Sequence, residues 1–428
     1  MSPESCNSRH FSWLVKSCLP NPTHHHSPSK SFHHPISAAS FTAAAATTTL
    51  SSLPDDLLLD CLTRVPSASL PALSAVCRRW SHLLDSASFL SLRRLRGLLR
   101  PTLFAFSSSD SPTLFAASLL LHRSPADWNV EASSLPFHSF SPEIFAHARL
   151  AAVGPTIYIL ARAHTLCYHI WTDTVSSISP MVFPRKKFAS AVVSGKIYVA
   201  GGGVSTRTPA VAAVEEYDPV NDAWRVVSQA PRRRYGCVGA AVDGVFYVIG
   251  GLKIAGAEAA STRAGAEACA YASSMDLYDV ETRAWLRSRA VPGGGCVVAA
   301  CAAGGFVYVL ASHAVELSFW RFDARRGGGG GGFGEWSRVK SPPVPQQMRL
   351  VDGTVRFGCV AVEEKVVMVQ VIGSIDDLLR RSGRSGRGLR EGLVLVYDPA
   401  GNGGGGEWSR GPDLPEVIRR AACVTVEC

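Results

Sequence analysis

Enzymes depend on a few side-chain types at a few spacings, so the histidines, cysteines, glycine runs and bases of this 428-residue chain come first. Hydrolysis or metal chemistry would need a Ser/His/Asp arrangement, an HExxH helix, or Cys and His pairs at ligand spacing. None occurs. The twelve cysteines include no CxxC pair, and His122, His138, His147, His164, His169 and His313 are scattered along the chain. His24-His25-His26 could hold a metal ion weakly, but no cysteine stands at finger spacing beside it, and a solvated low-complexity run is the plainer reading. Gly201-Gly202-Gly203 and the run from Gly327 to Gly332 lack the strand-to-helix setting of a phosphate loop. The expectation is no catalytic residue, no metal site and no cofactor.

The bases remain. Lys and Arg outnumber Asp and Glu by 43 to 34, a net charge of +9, which admits nucleic acid, an anionic surface or an acidic protein as partner. Charged residues make up only 18% and there are 38 glycines, a bias toward turn-rich β structure. Every apolar run is interrupted by Gly, Arg or Pro short of a membrane span, so no membrane role is expected. The dispersed cysteines and the lack of a signal-peptide pattern predict reduced thiols in the cytoplasm or nucleus.

The elements that would position the bases fall into three stretches. Residues 1–50 hold one acid, Glu4, among Ser, Ala, Thr, Pro and His, and predict a disordered tail. The tail has a transit-peptide flavour but few bases, and the segment Arg9 to Lys16, with Phe11 and Trp13, reads as a short docking element. Residues 51–95 switch to helical spacing. Pro54 with Asp55 and Asp56 marks a helix start, Leu57, Leu58, Leu59 and Leu62 give an apolar face, and Val65-Pro66 closes it. Two further short helices are predicted over about 69–76 and 77–84. Three such helices enclose little core and need a partner to cover exposed Leu and Pro.

Leu53-Pro54-Asp55-Asp56-Leu57, followed by Leu73-Ser74-Ala75-Val76-Cys77-Arg78-Arg79-Trp80, resembles the F-box, the segment by which adaptors dock on the Skp1 subunit of cullin-RING ubiquitin ligases. The resemblance implies that Leu53, Pro54 and Leu57 meet Skp1 and that Trp80 ties the third helix to the module, with all four assigned to the Skp1-binding unit.

From about residue 100 to 428 the chain repeats. Lys196-Ile197-Tyr198-Val199-Ala200-Gly201-Gly202, Val245-Phe246-Tyr247-Val248-Ile249-Gly250-Gly251 and Phe306-Val307-Tyr308-Val309-Leu310 each follow a Gly-containing turn. Tyr217-Asp218 precedes Trp224, and Tyr278-Asp279 precedes Trp285, at the same distance; Tyr397 with Trp408 and Phe322 with Trp336 repeat this across glycine insertions. These landmarks resemble the kelch motif, one four-stranded blade of a β-propeller per repeat. Trp128, Trp224, Trp285, Trp336 and Trp408, with Val175 after Tyr168, count six blades. The end of the chain, Arg419 to Val426, reads as the first strand of blade one and Leu103 to Phe106 as the second, which closes the ring from both termini. The fold class is thus mainly β: a six-bladed kelch-type propeller behind a three-helix F-box module.

Aligning strand starts puts Arg149, Lys187, Arg234, Arg356 and Arg420 in one register, with Arg185, Lys186, Arg232, Arg233 and Arg419 beside them. In that alignment Cys237, Cys296, Cys359 and Cys423 share one inner rung as packing thiols. The bases would ring one channel mouth, with Tyr235 and Phe357 as apolar contacts and the arginine loop 380–390 on the same face. The expected occupant is an acidic protein surface or segment; the plainer alternative is a set of bases that hold neighbouring blades. Taken together, the chain resembles plant F-box/kelch-repeat proteins, whose members remove enzymes of phenylpropanoid and flavonoid synthesis or act in light and hormone signalling. That implies a non-catalytic substrate adaptor of an SCF-type ubiquitin ligase, with a Skp1-like protein and a cullin as partners and an unidentified protein substrate. A nucleic-acid or nuclear-scaffold binder is the alternative, weakened by the lack of aromatics within 380–390.

Overall fold

The computed structural model describes residues 50–108, 113–121, 126–134, 148–162, 164–205, 209–253, 271–313, 316–325, 334–344, 356–372, 392–401, 405–418 and 421–428. The predicted tail up to residue 49, the arginine loop at 380–390, Arg419 and Arg420 lie outside them. The chain divides into two compact units between Arg96 and Gly97.

The first unit holds four short helices, α1 (Asp55–Leu62), α2 (Leu70–Ser74), α3 (Arg78–Leu84) and α4 (Ala87–Leu95). Asp55 and Asp56 occupy the first turn of α1, where the helix dipole favours negative charge. Leu58, Leu62, Leu70, Trp80, Leu83, Leu84 and Phe89 are buried and form the small core. Helix α4 corrects the three-helix expectation. The Ser86 hydroxyl caps it, accepting from the Phe89 N–H at 3.2 Å, and its buried Arg93 donates to the Thr63 and Val65 carbonyls and the Ser67 hydroxyl. Those bonds satisfy backbone acceptors just beyond the end of α1, which has no glycine cap. Arg96 adds an ion pair with Asp60. The burial of Arg93 is what a periodicity of apolar residues cannot reveal.

Among the described residues the second unit holds six antiparallel blades and one two-stranded sheet, Arg234–Tyr235 paired with Leu252–Lys253. Blade one is Ala422–Glu427, Pro101–Ser108, Thr113–Leu119 and Trp128–Ser134, in that spatial order. The chain's last strand therefore pairs with its first propeller strand, Leu103 opposite Thr425 and Ala105 opposite Cys423. This is the closure predicted from sequence: Pro101–Ser108 gains a partner on both sides, and the last strand becomes the innermost of blade one. Blades two to six begin with Arg149–Val153, Ala189–Val193, Val238–Val242, Cys296–Ala303 and Arg356–Val362. In blade four the outer strand is split into Ala284–Trp285 and Arg289–Ala290, both paired with Ser274–Asp279.

The tryptophans explain why the repeat keeps them. Four of them pack at a tilt against the aromatic residue opposite in their own blade: Tyr217 with Trp224 at 5.0 Å, Tyr278 with Trp285 at 5.1 Å, Phe322 with Trp336 at 5.0 Å and Tyr397 with Trp408 at 5.2 Å. Such pairs contribute about 0.5–1.5 kcal/mol each beyond area burial. The indole N–H then reaches back toward the preceding blade: Trp224 to the Ser179 carbonyl, Trp285 to the Ser228 hydroxyl and Trp408 to the Lys340 carbonyl. Trp128 of blade one donates to the Pro412 carbonyl beyond blade six at 3.0 Å, so the same bond also closes the ring.

Candidate protein-docking surfaces

On the helical unit, Leu57 is 51% exposed although its neighbour Leu58 is 1% exposed. Pro54 is exposed and Leu53 half-buried, so these residues form an apolar edge at the start of α1. Arg79 fixes that edge, donating to the Leu53 carbonyl and to the Asp55 carboxylate. Trp80, assigned with them to the Skp1-binding set, is 7% exposed, so it supports the module from inside. Val76, 47% exposed two residues beyond α2, is a further apolar surface residue on this unit, one the sequence pattern contains but does not mark as a contact.

On the propeller, the innermost strands line a channel of about 580 Å³ along the ring axis. Its walls are mostly Ala, Gly, Ser, Cys and Val, small enough for six strands to crowd together. Arg149, Lys187, Arg356 and Phe357 line it too. The strand-start register needs correction, because the hairpins between first and second strands align differently. Val193 pairs with Lys196, Val242 with Val245, and Val362 with Lys365. Counting back from these turns, Lys187 matches Gly236 and Arg356, Arg149 lies two residues nearer its turn, and Arg234 matches Arg185.

That shift changes the chemistry. Arg185 and Arg234 are fully buried. Each donates to the carbonyls of the equivalent glycine and third-strand residue of its own blade, Gly201 and Ala213 for Arg185, Gly250 and Ser274 for Arg234. Each then pairs with an acid on the third strand, Arg185 with Glu215 and Arg234 with Asp276. Arg234 is therefore withdrawn from the substrate face. Its charge is spent inside the blade, as is that of Arg185, while Arg232 also pairs with Asp276. Tyr235 is 5% exposed and serves as a platform, with the Lys187 ammonium 5.5 Å from its ring centroid. Arg420 lies outside the described residues. A sequence signal existed: an acid two residues before the Tyr-Asp pair, Glu215 before Tyr217 and Asp276 before Tyr278. Blades two and six carry Leu166 and Leu395 at that position.

Three bases thus remain at the channel. Arg149 spans neighbouring blades, donating from Nε to the Phe188 carbonyl at 2.8 Å and from Nη2 to the Cys237 carbonyl at 3.3 Å. Burial lowers its pKa, and Arg356 adds repulsion. The Lys187 ammonium is held below its ordinary pKa by burial and then by Arg356 and Lys186. Phe357 is half-buried against the core shared by blades five and six. Loops on the same face expose Val182, Phe183, Val204 and Leu252, which no repeat alignment singled out.

The predicted cysteine rung also divides. Cys237 is buried between blades, beneath Gly201 and Gly251, and Cys296 is exposed. Cys359 and Cys423 line the channel together with Cys301, which the strand-start alignment does not place on that rung. Burial pushes the Cys359 and Cys423 thiols up to about 12, which leaves them protonated and unreactive at neutral pH. Among the described residues no cluster of His, Cys, Asp or Glu could hold a metal ion.

Residues 50–92 match the F-box domain and residues 184–231 the kelch motif. An F-box/kelch-repeat protein of Arabidopsis thaliana is 61% identical over 99% of both chains. This chain is an F-box/kelch-repeat protein. More distant family members from the same plant include F-box protein AFR, 31% identical over 42% of this chain and 50% of its own, and F-box/kelch-repeat protein OR23, 30% identical over 42% and 47%. Family members share the pairing described above, an F-box joined to kelch repeats, and are in general adaptors rather than catalysts.

Proposed function

We propose that the protein is the substrate-recognition subunit of an SCF-type ubiquitin ligase, acting in the cytoplasm or nucleus. Leu53, Pro54 and Leu57 dock a Skp1-like protein, which links the chain to a cullin, and the propeller binds the protein to be ubiquitinated. The observation that carries the reading is the pairing of an uncovered apolar edge on a four-helix unit with a propeller whose one cation-bearing mouth has exposed Val182, Phe183, Val204 and Leu252 on its face. An isolated exposed leucine needs no explanation, but an F-box match around it does.

The substrate surface is acidic on this reading, and the contacts are Arg149, Lys187, Arg356 and Phe357. Ubiquitin transfer itself belongs to the conjugating enzyme that the cullin brings. Co-expression with a Skp1-like protein, followed by salt-titrated and nuclease-treated pulldown, tests the proposal. Retention of Skp1 that survives nuclease supports it. Retention of nucleic acid with loss of Skp1 would favour a nucleic-acid binder instead.

A further inference from the structure

We propose that the channel mouth is a site for a single oxyanion, a carboxylate or phosphate group, held near the propeller axis by Arg149, Lys187 and Arg356. The inference deepens the reading of this mouth as the substrate face and rests on it only for the identity of the surface.

Three observations carry it. First, the cations come from blades two, three and six, and blades three and six face each other across the ring. All three nevertheless line the same channel, where Arg356 repels both Lys187 and Arg149. No Asp or Glu lines the channel among the described residues.

Second, Lys187 adopts φ 57°, in the left-handed region. Its equivalent in blade four is Gly236, at φ 81°, whose N–H donates to the Lys187 carbonyl at 2.8 Å. Glycine fits this conformation without the steric penalty a lysine incurs. A lysine held at a glycine position, partly desolvated and beside a like charge, makes sense when something negative meets it.

Third, Arg149 is oriented before any ligand arrives. Its two bonds to carbonyls just before the inner strands of blades three and four fix the guanidinium plane and leave the rest of its donor fork for an oxyanion. The small-residue walls below admit the group and a slender stem.

Inorganic pyrophosphate and a flexible Glu-containing peptide, paired with its Gln counterpart, are the probes, titrated calorimetrically into the full chain. The variants are Arg356→Gln and Lys187→Gly, the second placing in blade three the residue blade four already tolerates. Pyrophosphate or the Glu peptide should bind wild type, and each variant should weaken that binding by about tenfold or more, the loss of one charge-assisted contact. Pyrophosphate should also slow acylation of Lys187. Binding of pyrophosphate alone supports a free-anion site and removes support from the acidic-substrate reading; binding of the Glu peptide over the Gln peptide supports both. The inference is overturned if neither probe binds at millimolar concentration, or if both folded variants bind as wild type does.

Discussion

The buried pair Arg234–Asp276 gives the most quantitative test of how this propeller distributes its charge. Arg234 is 0% exposed and Asp276 is 1% exposed. One carboxylate oxygen accepts from Arg234 Nε at 2.9 Å, and the other accepts from Arg232 and from the Ser288 hydroxyl. In Asp276→Ala the guanidinium keeps its bonds to the Gly250, Tyr271 and Ser274 carbonyls, but its buried charge loses its counterion. Stranding one partner of a buried pair costs about 3–5 kcal/mol. A unit of the propeller's size unfolds with an entropy near 0.7 kcal/mol/K at about 2.1 cal/mol/K per residue, so the melting temperature should fall by about 4–7 °C. Differential scanning calorimetry measures it. A fall under about 1 °C would refute the assignment of Arg234 to the blade interior.

Leu57→Asp should abolish binding to a Skp1-like protein and leave the melting temperature within the range of an ordinary surface change, about 0.5 kcal/mol, since Leu57 is half-exposed; pulldown with calorimetry separates the two. Deleting residues 422–428 removes the strand that completes blade one and should give a chain without a cooperative thermal transition. Trp128→Phe removes the bond to Pro412 while keeping most of the ring, so it should cost about 1 kcal/mol, readable as a shifted denaturation midpoint at unchanged slope. Lys187 predicts a pH effect. Its folded pKa lies below the usual 10.5, so above the folded value the unfolded chain binds more protons and stability rises with pH up to about 10.5. Wild type should therefore gain on Lys187→Gly across that alkaline window, by denaturant melts at several pH values; parallel curves would contradict the depressed pKa.

Most of the architecture was legible in the sequence because it repeats. A Tyr or Phe and a Trp at fixed spacing mark the outer strands, and their function, stacking within a blade and donating toward the one before, requires those two side chains at that distance. Ring closure was legible because the two incomplete half-blades at the ends of the repeat complement each other. The register at the inner strands was not. Aligning on bases placed Arg234 with Lys187, whereas the hairpin turns pair Arg234 with Arg185, and the shift separates an internal ion pair from a channel cation. The third-strand acids Glu215 and Asp276 were visible all along, but only the fold shows that they face a base on the same blade. Helix α4 was missed for a related reason: its anchor is Arg93, a charged residue made internal by three acceptors brought from elsewhere in the chain.

The net charge of +9 now divides into parts. Bases such as Arg185 and Arg234 are balanced by acids within their blades, and three unmatched by any channel acid among the described residues line the axis. The account rests on the joint action of two surfaces, so the most direct test uses both at once. A reconstituted ligase containing the full chain, a Skp1-like protein, a cullin and its RING subunit is incubated with a captured acidic substrate, and substrate ubiquitination is measured for wild type, Leu57→Asp and Lys187→Gly/Arg356→Gln. Leu57→Asp should lose Skp1 but still hold substrate; Lys187→Gly/Arg356→Gln should hold Skp1 but lose substrate; each should abolish ubiquitination. Full ubiquitination by either folded variant would contradict the adaptor mechanism.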